Sequence, residues 1–265
     1  MLKEDLQSMR QSCKIASDVL LFVGNNIKEG ISTFTLNQLV HEYILFKNAT
    51  PSPLNYKGFP KSVCTSVNDV VCHGIPNKKE ILQNGDIINV DITVYFPKEN
   101  GFHGDTSATF YIGTPSEDAR RVVETARECL KRAIEVVKPG NSIRLIGNLI
   151  EEYAHSQNCS VVEDYVGHGV GRIFHDDPAI HHTKRSEKEQ KQMPIMIPGM
   201  VFTIEPMINL FGPEIKVEND GWTVKTLHRN NLSAQFEHTV LVTETGNEIL
   251  TARKVLLLGS ENILV

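Results

Sequence analysis

The sequence repeats itself at an interval of about 110 residues, and this duplication limits the possible folds more than any other feature. A shift of 110 residues matches three features of the two halves: Gly30 with Gly140, Ser32 with Ser142, and Glu42-Tyr43 with Glu152-Tyr153. A shift of 114 residues then matches Gly85 with Gly199 and Asp91 with Glu205. Such a duplication implies two similar α+β halves about a pseudo-two-fold axis, where matching acids can meet. Chance similarity between amphipathic helices is the alternative.

Each half reads as two helices followed by strands. Apolar residues at three- and four-residue spacing predict helices at 4–29, from Thr35 to about residue 47, at 116–138 and at about 142–155. Thr35 with Gln38 is typical of a capping box at a helix start. Apolar stretches predict strands at 200–209, 222–227 and 235–243. We expect one α+β domain over residues 1–265, with internal halves of about 10–113 and 120–245.

Residues 85–113 are predicted to form a β-hairpin that carries two aspartates. Polar and apolar residues alternate along both strands, so Asp91 and Asp105 fall on the polar face of the ribbon. The segment 96–101 supplies the turn with its Pro, Asn and Gly residues. If the two aspartates face each other, their carboxylates either raise each other's pKa or require a cation. A polar face that meets only solvent is the alternative.

Composition disfavours several classes of protein. The net charge of −5 gives no basic field for nucleic acid, and no apolar run approaches the ~20 residues of a membrane span. The N-terminal residues are charged and lack the apolar centre of a signal peptide. The five cysteines are scattered and show no zinc-type spacing, which favours reduced thiols in a cytoplasmic protein.

Three further stretches place polar residues where apolar ones are expected. His168 and His175 lie in a glycine-rich segment, and two glutamates, Glu205 and Glu237, interrupt apolar runs. A strand glutamate is rarely buried unless it is paired or bound to a cation. Each of these residues alone is more typical of a surface or a structural position. Together with the hairpin they form one set of four carboxylates and an imidazole: Asp91, Asp105, Glu205, Glu237 and His168.

This set of side chains predicts a site for two metal ions. Four converging carboxylates repel one another strongly, and two divalent ions cancel their four negative charges. Carboxylates can bridge two metals that lie about 3.5–4 Å apart, which suits the activation of a shared water. Mostly oxygen ligands with a single imidazole favour Mn, Fe or Co over a structural zinc site, which is typically built from cysteines.

With these residues in place, the sequence resembles the type I methionine aminopeptidases, which share the pita-bread fold with creatinase and prolidase. The matching stretches lie between residues 55 and 245 and include GDIINVDITVY, GFHGDTSATF, GHGVGRIFHDDP, PGMVFTIEPMIN and SAQFEHTVLVT. The resemblance implies an α+β fold with helices packed on a curved antiparallel sheet in two pseudo-symmetric halves. It also implies a hydrolase that removes the initiator methionine from nascent proteins when the second residue is small.

The resemblance further implies a role for each site residue. Asp91 would chelate one metal ion, Asp105 and Glu237 would bridge both ions, and His168 and Glu205 would complete the other site. A bridging water or hydroxide would attack the first peptide bond, with Glu205 as the proton shuttle. His73 and His175 would bind the substrate and stabilise the tetrahedral intermediate. The two ions would be drawn from Co, Mn, Fe, Zn or Ni.

The methionine side chain has its own predicted pocket. In the stretches that line this pocket in the family, the sequence has Tyr56, Phe59, Cys64, Phe174 and Trp222. A thioether gains from contacts with aromatic rings, so an aromatic wall suits methionine. That Phe59 is only a core aromatic is the alternative. Pro53 departs from the small or sulfur-containing residue that is common there, which bears on side-chain selectivity rather than on the reaction.

The expected substrate is the N-terminal methionine of nascent peptides, and the ribosome is left open as a further partner. No contact with DNA or a membrane is expected. The scattered cysteines favour a cytoplasmic location, and the resemblance implies a monomer. Two other functions are considered: a non-catalytic pita-bread protein that binds partners, and a prolidase-like peptidase that acts on Xaa-Pro. The complete ligand set and the acidic charge disfavour the first. The aromatic pocket and the lack of an extra N-terminal domain disfavour the second.

Overall fold

The structure is a computed structural model that describes residues 3–253. Within this range the chain forms helices and antiparallel strands. The helices are α1 (Lys3–Asn26), α2 (Thr33–Phe46), α3 (Glu117–Glu135), α4 (Arg144–Ser156) and α5 (Glu187–Gln190). The strands are β1 (Thr50–Pro51), β2 (Cys64–Val67), β3 (Val70–Cys72), β4 (Ile87–Phe96), β5 (Phe102–Tyr111), β6 (Ser160–Val161), β7 (Gly167–Gly169), β8 (Asp176–Ile180), β9 (Val201–Ile204), β10 (Met207–Asn209), β11 (Ile215–Val217), β12 (Val224–Thr226), β13 (Ser233–Gln235), β14 (His238–Val242) and β15 (Asn247–Ile249).

The described strands form four sheets in which every pairing is antiparallel. In the first sheet β1 and β2 pair with different ends of β4, and β5 pairs with the whole length of β4. The second and third sheets have the orders β13-β10-β6 and β11-β12-β3. The fourth sheet has the order β15-β14-β9-β7-β8. The predicted hairpin is therefore the pair β4–β5, and it forms the long central ribbon of the first sheet.

One large apolar core joins the helices of both halves to the sheets. The apolar stripes that predicted the helices face this core, with Leu20 and Val23 from α1, Leu36 and Val40 from α2, Val122 and Ala126 from α3, and Ile146 and Ile150 from α4. Strand residues complete it, among them Ile88, Ile92, Phe202 and Phe236. Because both halves contribute to one cluster, pulling them apart would expose it to water.

Helix α2 begins earlier than the sequence predicted. Its cap is Ser32, whose Oγ accepts a hydrogen bond from the Thr35 backbone N–H at 3.0 Å. The capping box expected at Thr35 and Gln38 was therefore wrong. A β-bridge to Ile81 holds Ser32 in the extended conformation that a helix cap requires, and this tertiary contact is invisible in the local sequence.

Two predicted strands are each broken in two at a glutamate. The stretch 200–209 forms β9 and β10, which are separated by Glu205 and Pro206. The stretch 235–243 forms β13 and β14, which are separated by Phe236 and Glu237. Proline has no backbone N–H to donate, so it interrupts a ladder. Strand β9 pairs with β14, and β10 pairs with β13. The two segments therefore pass side by side from the fourth sheet to the second sheet at the glutamates.

Matching positions of the two halves make matching backbone contacts. The Gly30 N–H donates to the Leu82 carbonyl at 2.8 Å, and the Gly140 N–H donates to the Met196 carbonyl at 3.0 Å. Two isolated β-bridges repeat the same relation, Ser32 with Ile81 and Ser142 with Ile195. The carbonyl partners are again 114 residues apart. These contacts support the duplication, while the division into halves of about 10–113 and 120–245 stays a prediction.

Two further properties concern the helices and the cysteines. Helices long and apolar enough to cross a membrane are absent from residues 3–253. All five cysteines are buried as free thiols. The reduced state expected from their scattered spacing agrees with this arrangement.

Candidate active site

One cavity of about 320 Å³ brings together every residue that the sequence analysis selected. Among the residues that line it are all twelve predicted site residues: Tyr56, Phe59, Cys64, His73, Asp91, Asp105, His168, Phe174, His175, Glu205, Trp222 and Glu237. They come from both halves of the chain, from the four strands β2, β4, β5 and β7 and from the segments between strands. The side chains predicted for metal and for substrate therefore share one space, and their individual roles stay predictions.

Asp91 and Asp105 reach the cavity from the central hairpin, on the same face but not directly opposite each other. Asp91 pairs with Ser107 and Asp105 pairs with Thr93, so the two aspartates are diagonal neighbours. The turn determines the register of the hairpin. This register offsets the two carboxylates, which the sequence analysis had considered as a directly facing pair. They are still close, because ligand atoms of Asp91, Asp105 and Glu237 lie within 4.8 Å of one another.

Glu205 and Glu237 enter the cavity where these two segments pass from one sheet to the other. Ile204 pairs with His238 on one side of this crossing, and Met207 pairs with Gln235 on the other. The two glutamates lie between these ladders, and their side chains turn inward at the bend. The Glu237 N–H donates to the carbonyl of Ser107 on β5 at 3.1 Å, which ties this bend to the hairpin that carries the aspartates.

His168 reaches the acids because glycines on both sides allow neighbouring backbone to approach. A Cβ added at Gly167 would lie 2.4 Å from the Thr203 carbonyl oxygen, and one added at Gly169 would lie 2.1 Å from the Asp177 carbonyl oxygen. Only glycine fits such contacts with backbone. The close approach expected from the glycine-rich sequence is therefore present, and it seats β7 between β8 and β9.

The imidazole of His168 presents an unprotonated nitrogen to the acids. Its Nδ1 lies 3.0 Å from the Gly169 carbonyl oxygen, which can only accept, so Nδ1 carries the proton. The lone pair then resides on Nε2, which lies 3.6 Å from Glu205 Oε1 and 3.8 Å from Asp105 Oδ2. Burial lowers the pKa of His168 and keeps the ring neutral. A neutral imidazole fixed in this way is the form that binds metal ions.

Hydrogen bonds hold some carboxylate oxygens and leave others open. Thr93 Oγ1 donates to Asp105 Oδ1 at 2.7 Å. Glu205 is held at both oxygens, by Thr203 Oγ1 at 2.8 Å and by Gln235 Nε2 at 3.2 Å. Asp91 Oδ1 is buried and lacks a hydrogen-bond partner among residues 3–253. A buried charged oxygen without a partner is costly, and a cation would satisfy it.

The pKa of each of the four acids is raised. Burial raises the pKa of Asp91 to about 7, and burial together with the nearby Asp91 raises that of Glu205 to about 8. Burial, followed by repulsion from neighbouring carboxylates, raises the pKa values of Asp105 and Glu237 well above the ordinary range. Carboxylates in this state gain strongly from a bound cation. The donor set, which is mostly oxygen with one imidazole nitrogen, fits divalent metal ions.

Aromatic rings form the other wall of the cavity. Phe59 is 2% exposed and meets Trp222 edge to face at 5.2 Å between ring centroids. Tyr56 meets Phe174 at 4.9 Å. Rings in these arrangements support one another and leave a polarisable surface toward the cavity. Cys64 lies beside them on β2, directly opposite Asp91 on β4, and so joins the aromatic wall to the acids.

The two predicted substrate-binding histidines are neutral and held in place. The ring of His175 stacks on Phe174 at 4.2 Å, and its Nδ1 lies 2.9 Å from the Tyr56 hydroxyl. Burial is the main cause that lowers the pKa of His175 to about 3. Burial lowers the pKa of His73 to about 4. The backbone of His73 has a φ of +57°, a strained value that is common at functional sites.

Several residues of the site escaped the sequence analysis. Thr203 and Gln235 hold Glu205, and Tyr165 and Met207 line the cavity. Strand alternation could have revealed the first two, because Thr203 lies two residues before Glu205 and Gln235 two residues before Glu237. Tyr165 lies outside the strands, in a stretch without periodicity, and nothing in the sequence marks it.

Comparison with known proteins identifies relatives of the whole chain. Metallopeptidase family M24 matches residues 7–244. The methionine aminopeptidase of Buchnera aphidicola subsp. Acyrthosiphon pisum is 48% identical over 253 residues, which cover 95% of this chain and 93% of that protein. The mitochondrial methionine aminopeptidase 1D of Homo sapiens is 47% identical over 250 residues, which cover 94% of this chain and 71% of that protein.

Solved structures show the same relation. The crystal structure of methionine aminopeptidase from Rickettsia prowazekii has a TM-score of 0.89 and 45% identity, and covers 95% of this chain and 98% of its own. The prolidase from Pyrococcus furiosus has a TM-score of 0.73 at 23% identity, with 96% of this chain and 65% of its own covered. The prolidase therefore shares the fold alone.

Fold and site together define a metal-dependent hydrolase with the pita-bread architecture, which confirms the α+β fold class expected from the sequence. The acid cluster and the cavity belong to an enzyme rather than to a binding protein that has lost its site. The chain belongs to metallopeptidase family M24 and, within it, to the methionine aminopeptidases.

Proposed function

We propose that this protein removes the N-terminal methionine from nascent proteins whose second residue is small. One observation carries the proposal: four acidic side chains and a wall of aromatic rings line the same cavity of about 320 Å³. The acids suit metal-assisted hydrolysis, and the aromatic wall suits a thioether. Relatives at 47–48% identity are named methionine aminopeptidases, which supports the same substrate here.

We infer that the site holds two divalent ions. The residues that would hold them are Asp91, Asp105, His168, Glu205 and Glu237, with Asp105 and Glu237 shared between the ions. When bound, the ions supply positive charge that polarises the peptide carbonyl and lowers the pKa of water. Two observations support the fit: the buried Asp91 Oδ1 without a partner among the described residues, and the Nε2 lone pair of His168 near two acids. The donor set favours Mn, Fe or Co, with Zn and Ni as the other ions to test.

His73 and His175 are assigned to the substrate carbonyl. Both rings are neutral at physiological pH, so each can donate only one N–H. We assign the Tyr56 hydroxyl as the donor to Nδ1 of His175, which leaves the ring N–H on Nε2 for the oxygen of the scissile carbonyl. A donor fixed at this point stabilises the negative charge that develops as the bond is attacked.

Glu205 is assigned the proton transfer. It takes a proton from the attacking water and delivers it to the nitrogen of the departing peptide. Thr203 and Gln235 hold its two oxygens, so the carboxyl group keeps one orientation during both transfers.

Methionine selectivity is assigned to the aromatic wall. Tyr56, Phe59, Phe174 and Trp222 would surround the thioether together with Cys64.

We further infer that the protein is a cytoplasmic monomer. The five buried free thiols support the cytoplasmic location. The molar mass of the purified protein, measured by light scattering, tests whether it is a monomer. Co-sedimentation with ribosomes tests whether the ribosome is a partner, which the proposal leaves open.

The substrate proposal is tested with three tripeptides: Met-Ala-Ser, Met-Phe-Ser and Ala-Pro-Ser. We expect rapid release of free methionine from the first, slow release from the second because its second residue is large, and no cleavage of the third. The Asp105→Asn variant, prepared in the same way, controls for contaminating peptidases. Release of alanine from Ala-Pro-Ser without methionine release from Met-Ala-Ser would replace this proposal with the prolidase-like function.

A further inference from the structure

Behind the acid cluster, two threonine hydroxyls cross-link the backbone of the two acids assigned as bridging ligands. Thr106 follows Asp105, and its Oγ1 donates to the carbonyl oxygen of Glu237 at 2.8 Å. Thr239 lies two residues after Glu237, and its Oγ1 donates to the carbonyl oxygen of Asp105 at 2.7 Å. Both threonines are fully buried. This threonine bridge, Thr106 and Thr239, joins β5 of the first sheet to β14 of the fourth.

The last described residues of the chain bind both threonines of the bridge. Thr251 is fully buried, and its Oγ1 accepts from the Thr239 backbone N–H at 3.1 Å. Arg253 Nη1 donates to Thr106 Oγ1 at 2.7 Å. Ser17 of α1 holds this segment from outside through the carbonyls of Thr251 and Ala252, at 3.2 and 3.3 Å. A segment remote in sequence from the acids thus supports the backbone of both.

The contact from Arg253 determines the direction of the Thr106 hydroxyl. A guanidinium group can only donate, so it occupies a lone pair of Thr106 Oγ1 and never competes for the hydroxyl proton. That single proton is then directed at the Glu237 carbonyl. Burial lowers the pKa of Arg253 to about 10, with Glu237 acting in the opposite sense, so the group stays charged at neutral pH. The donor is therefore permanent under working conditions.

We propose that Arg253 is a positioning residue for the metal site, acting through Thr106 on the backbone of Glu237. The proposal rests on the role of Glu237 as a metal ligand given above. Residues that orient a metal ligand typically change metal affinity by about 10- to 100-fold when they are removed. Arg253 has no place among the residues that line the cavity, so it acts on the ligand from behind and not on the substrate.

A variant that leaves the charge of Arg253 in place separates positioning from simple electrostatics. The positive charge of Arg253 repels a cation, but it also lowers the pKa of Glu237 and so reduces competition from protons. Removing Arg253 changes both effects, which act in opposite directions on metal binding. Removing only the Thr106 hydroxyl breaks the link to the Glu237 carbonyl and leaves the charge unchanged. If Arg253 acts by positioning Glu237 through Thr106, both changes weaken metal binding.

The experiment measures the dissociation constant of Mn²⁺ by isothermal titration calorimetry on the full chain after treatment with a chelator. Thr106→Val keeps the shape of the side chain but removes the hydroxyl, and we expect the dissociation constant to rise about 10- to 100-fold. Thr106→Ser keeps the hydroxyl and should stay within about threefold of the parent protein. Arg253→Met should weaken binding in the same direction as Thr106→Val. Ser17→Ala is the matched control, because it removes another buried hydroxyl that contacts neither Thr106 nor Arg253, and its affinity should not change.

Two results would overturn the inference. One is an unchanged dissociation constant in Thr106→Val, and the other is equal or tighter binding in a folded Arg253→Met. Circular dichroism at the assay temperature shows whether each variant is folded, and if Arg253→Met is not, the Thr106 pair decides alone. Glu237→Ala separates this inference from the proposed function. If Glu237→Ala binds Mn²⁺ normally, the ligand assignment fails, whereas loss in Glu237→Ala with normal binding in Thr106→Val refutes only the role of Arg253.

Discussion

His175 shows how single contacts prepare a catalytic group in this cavity. Its ring is stacked on Phe174, hydrogen-bonded to Tyr56 and close to the ring of His168 at 4.3 Å between centroids. These contacts hold the ring in one orientation and one protonation state. Little conformational entropy is therefore lost when the substrate binds. The ring therefore lies beside His168, which we assign as a metal ligand, while His175 itself is assigned to the substrate.

Replacing His175 with Ala should separate turnover from metal binding. We expect kcat to fall about 10²- to 10³-fold, since one donor to the developing oxyanion is lost. Metal content, measured by atomic absorption after dialysis, should stay at the level of the parent protein. Loss of metal from this variant would show that His175 is a ligand or supports one.

Single residues were the part of the site that the sequence revealed best. Asp91, Glu205 and Glu237 were recognisable because a carboxylate in an apolar run demands a partner. The supporting contacts were not recognisable, because the bond from Thr106 to Glu237 joins residues 131 positions apart. Contacts of this range depend on how the sheets meet, and no local pattern encodes them.

At the scale of elements, helix α1 is packed against the central hairpin at a position that admits only glycine. A Cβ added at Gly104 would lie 2.4 Å from the carbonyl carbon of Ser12 and 2.5 Å from the backbone nitrogen of Cys13. Ser12 Oγ also donates to the Phe102 carbonyl at 2.7 Å. The helix is therefore fixed directly behind Asp105, and its backbone cannot move aside without shifting the ribbon.

Gly104→Ala should therefore destabilise the protein. We expect the free energy of unfolding to fall by about 1–3 kcal/mol, the usual range for forcing a methyl group into a packed contact. Urea denaturation of the chelated protein measures it. Gly246→Ala is the matched control, because a Cβ there meets nothing within 4 Å, and its change should stay within about 0.5 kcal/mol. Equal stability of the two variants would contradict the packing described.

Elements were predicted well where packing follows periodicity and poorly where tertiary contacts intervene. The four long helices and the hairpin appear close to their expected bounds, because each has a strong apolar stripe or a clear alternation. The strands at 200–209 and 235–243 were predicted as continuous and are broken. Their breaks depend on two sheets meeting at Glu205 and Glu237, which an alternation pattern within one strand does not report.

At the scale of the whole molecule, the acid cluster opposes folding unless something neutralises it. Burial raises the pKa values of Asp91 and Glu205 to about 7 and about 8, above their unfolded values near 4. At pH values between the unfolded and the folded pKa, the folded state binds more protons than the unfolded state. The stability that these bound protons contribute is lost as pH rises through the folded pKa. Buried histidines such as His73, with a pKa of about 4, act in the opposite sense up to about pH 7.5, where the unfolded histidines have lost their protons.

The chelated protein should therefore lose stability between pH 7.5 and 8.5. We expect a fall of about 1 kcal/mol in the free energy of unfolding, because the histidines are then deprotonated in both states while the raised carboxyl groups still titrate. Urea denaturation at both pH values tests this. The Glu205→Gln variant should show a smaller fall, since it lacks one titrating group. With saturating Mn²⁺ the fall should disappear, because the cation replaces the protons. A chelated protein equally stable at both values would contradict the account.

The central claim is that the converging acids make this chain a metal-dependent methionine aminopeptidase, and its most direct test is metal restoration. The chelated protein is incubated with Met-Ala-Ser while Mn, Fe, Co, Zn or Ni is added back singly, and free methionine is measured. We predict that release is absent after chelation and restored by at least one metal, and that Asp105→Ala and Glu237→Ala lose both metal binding and release. No release with any metal, despite stoichiometric binding, would contradict the claim.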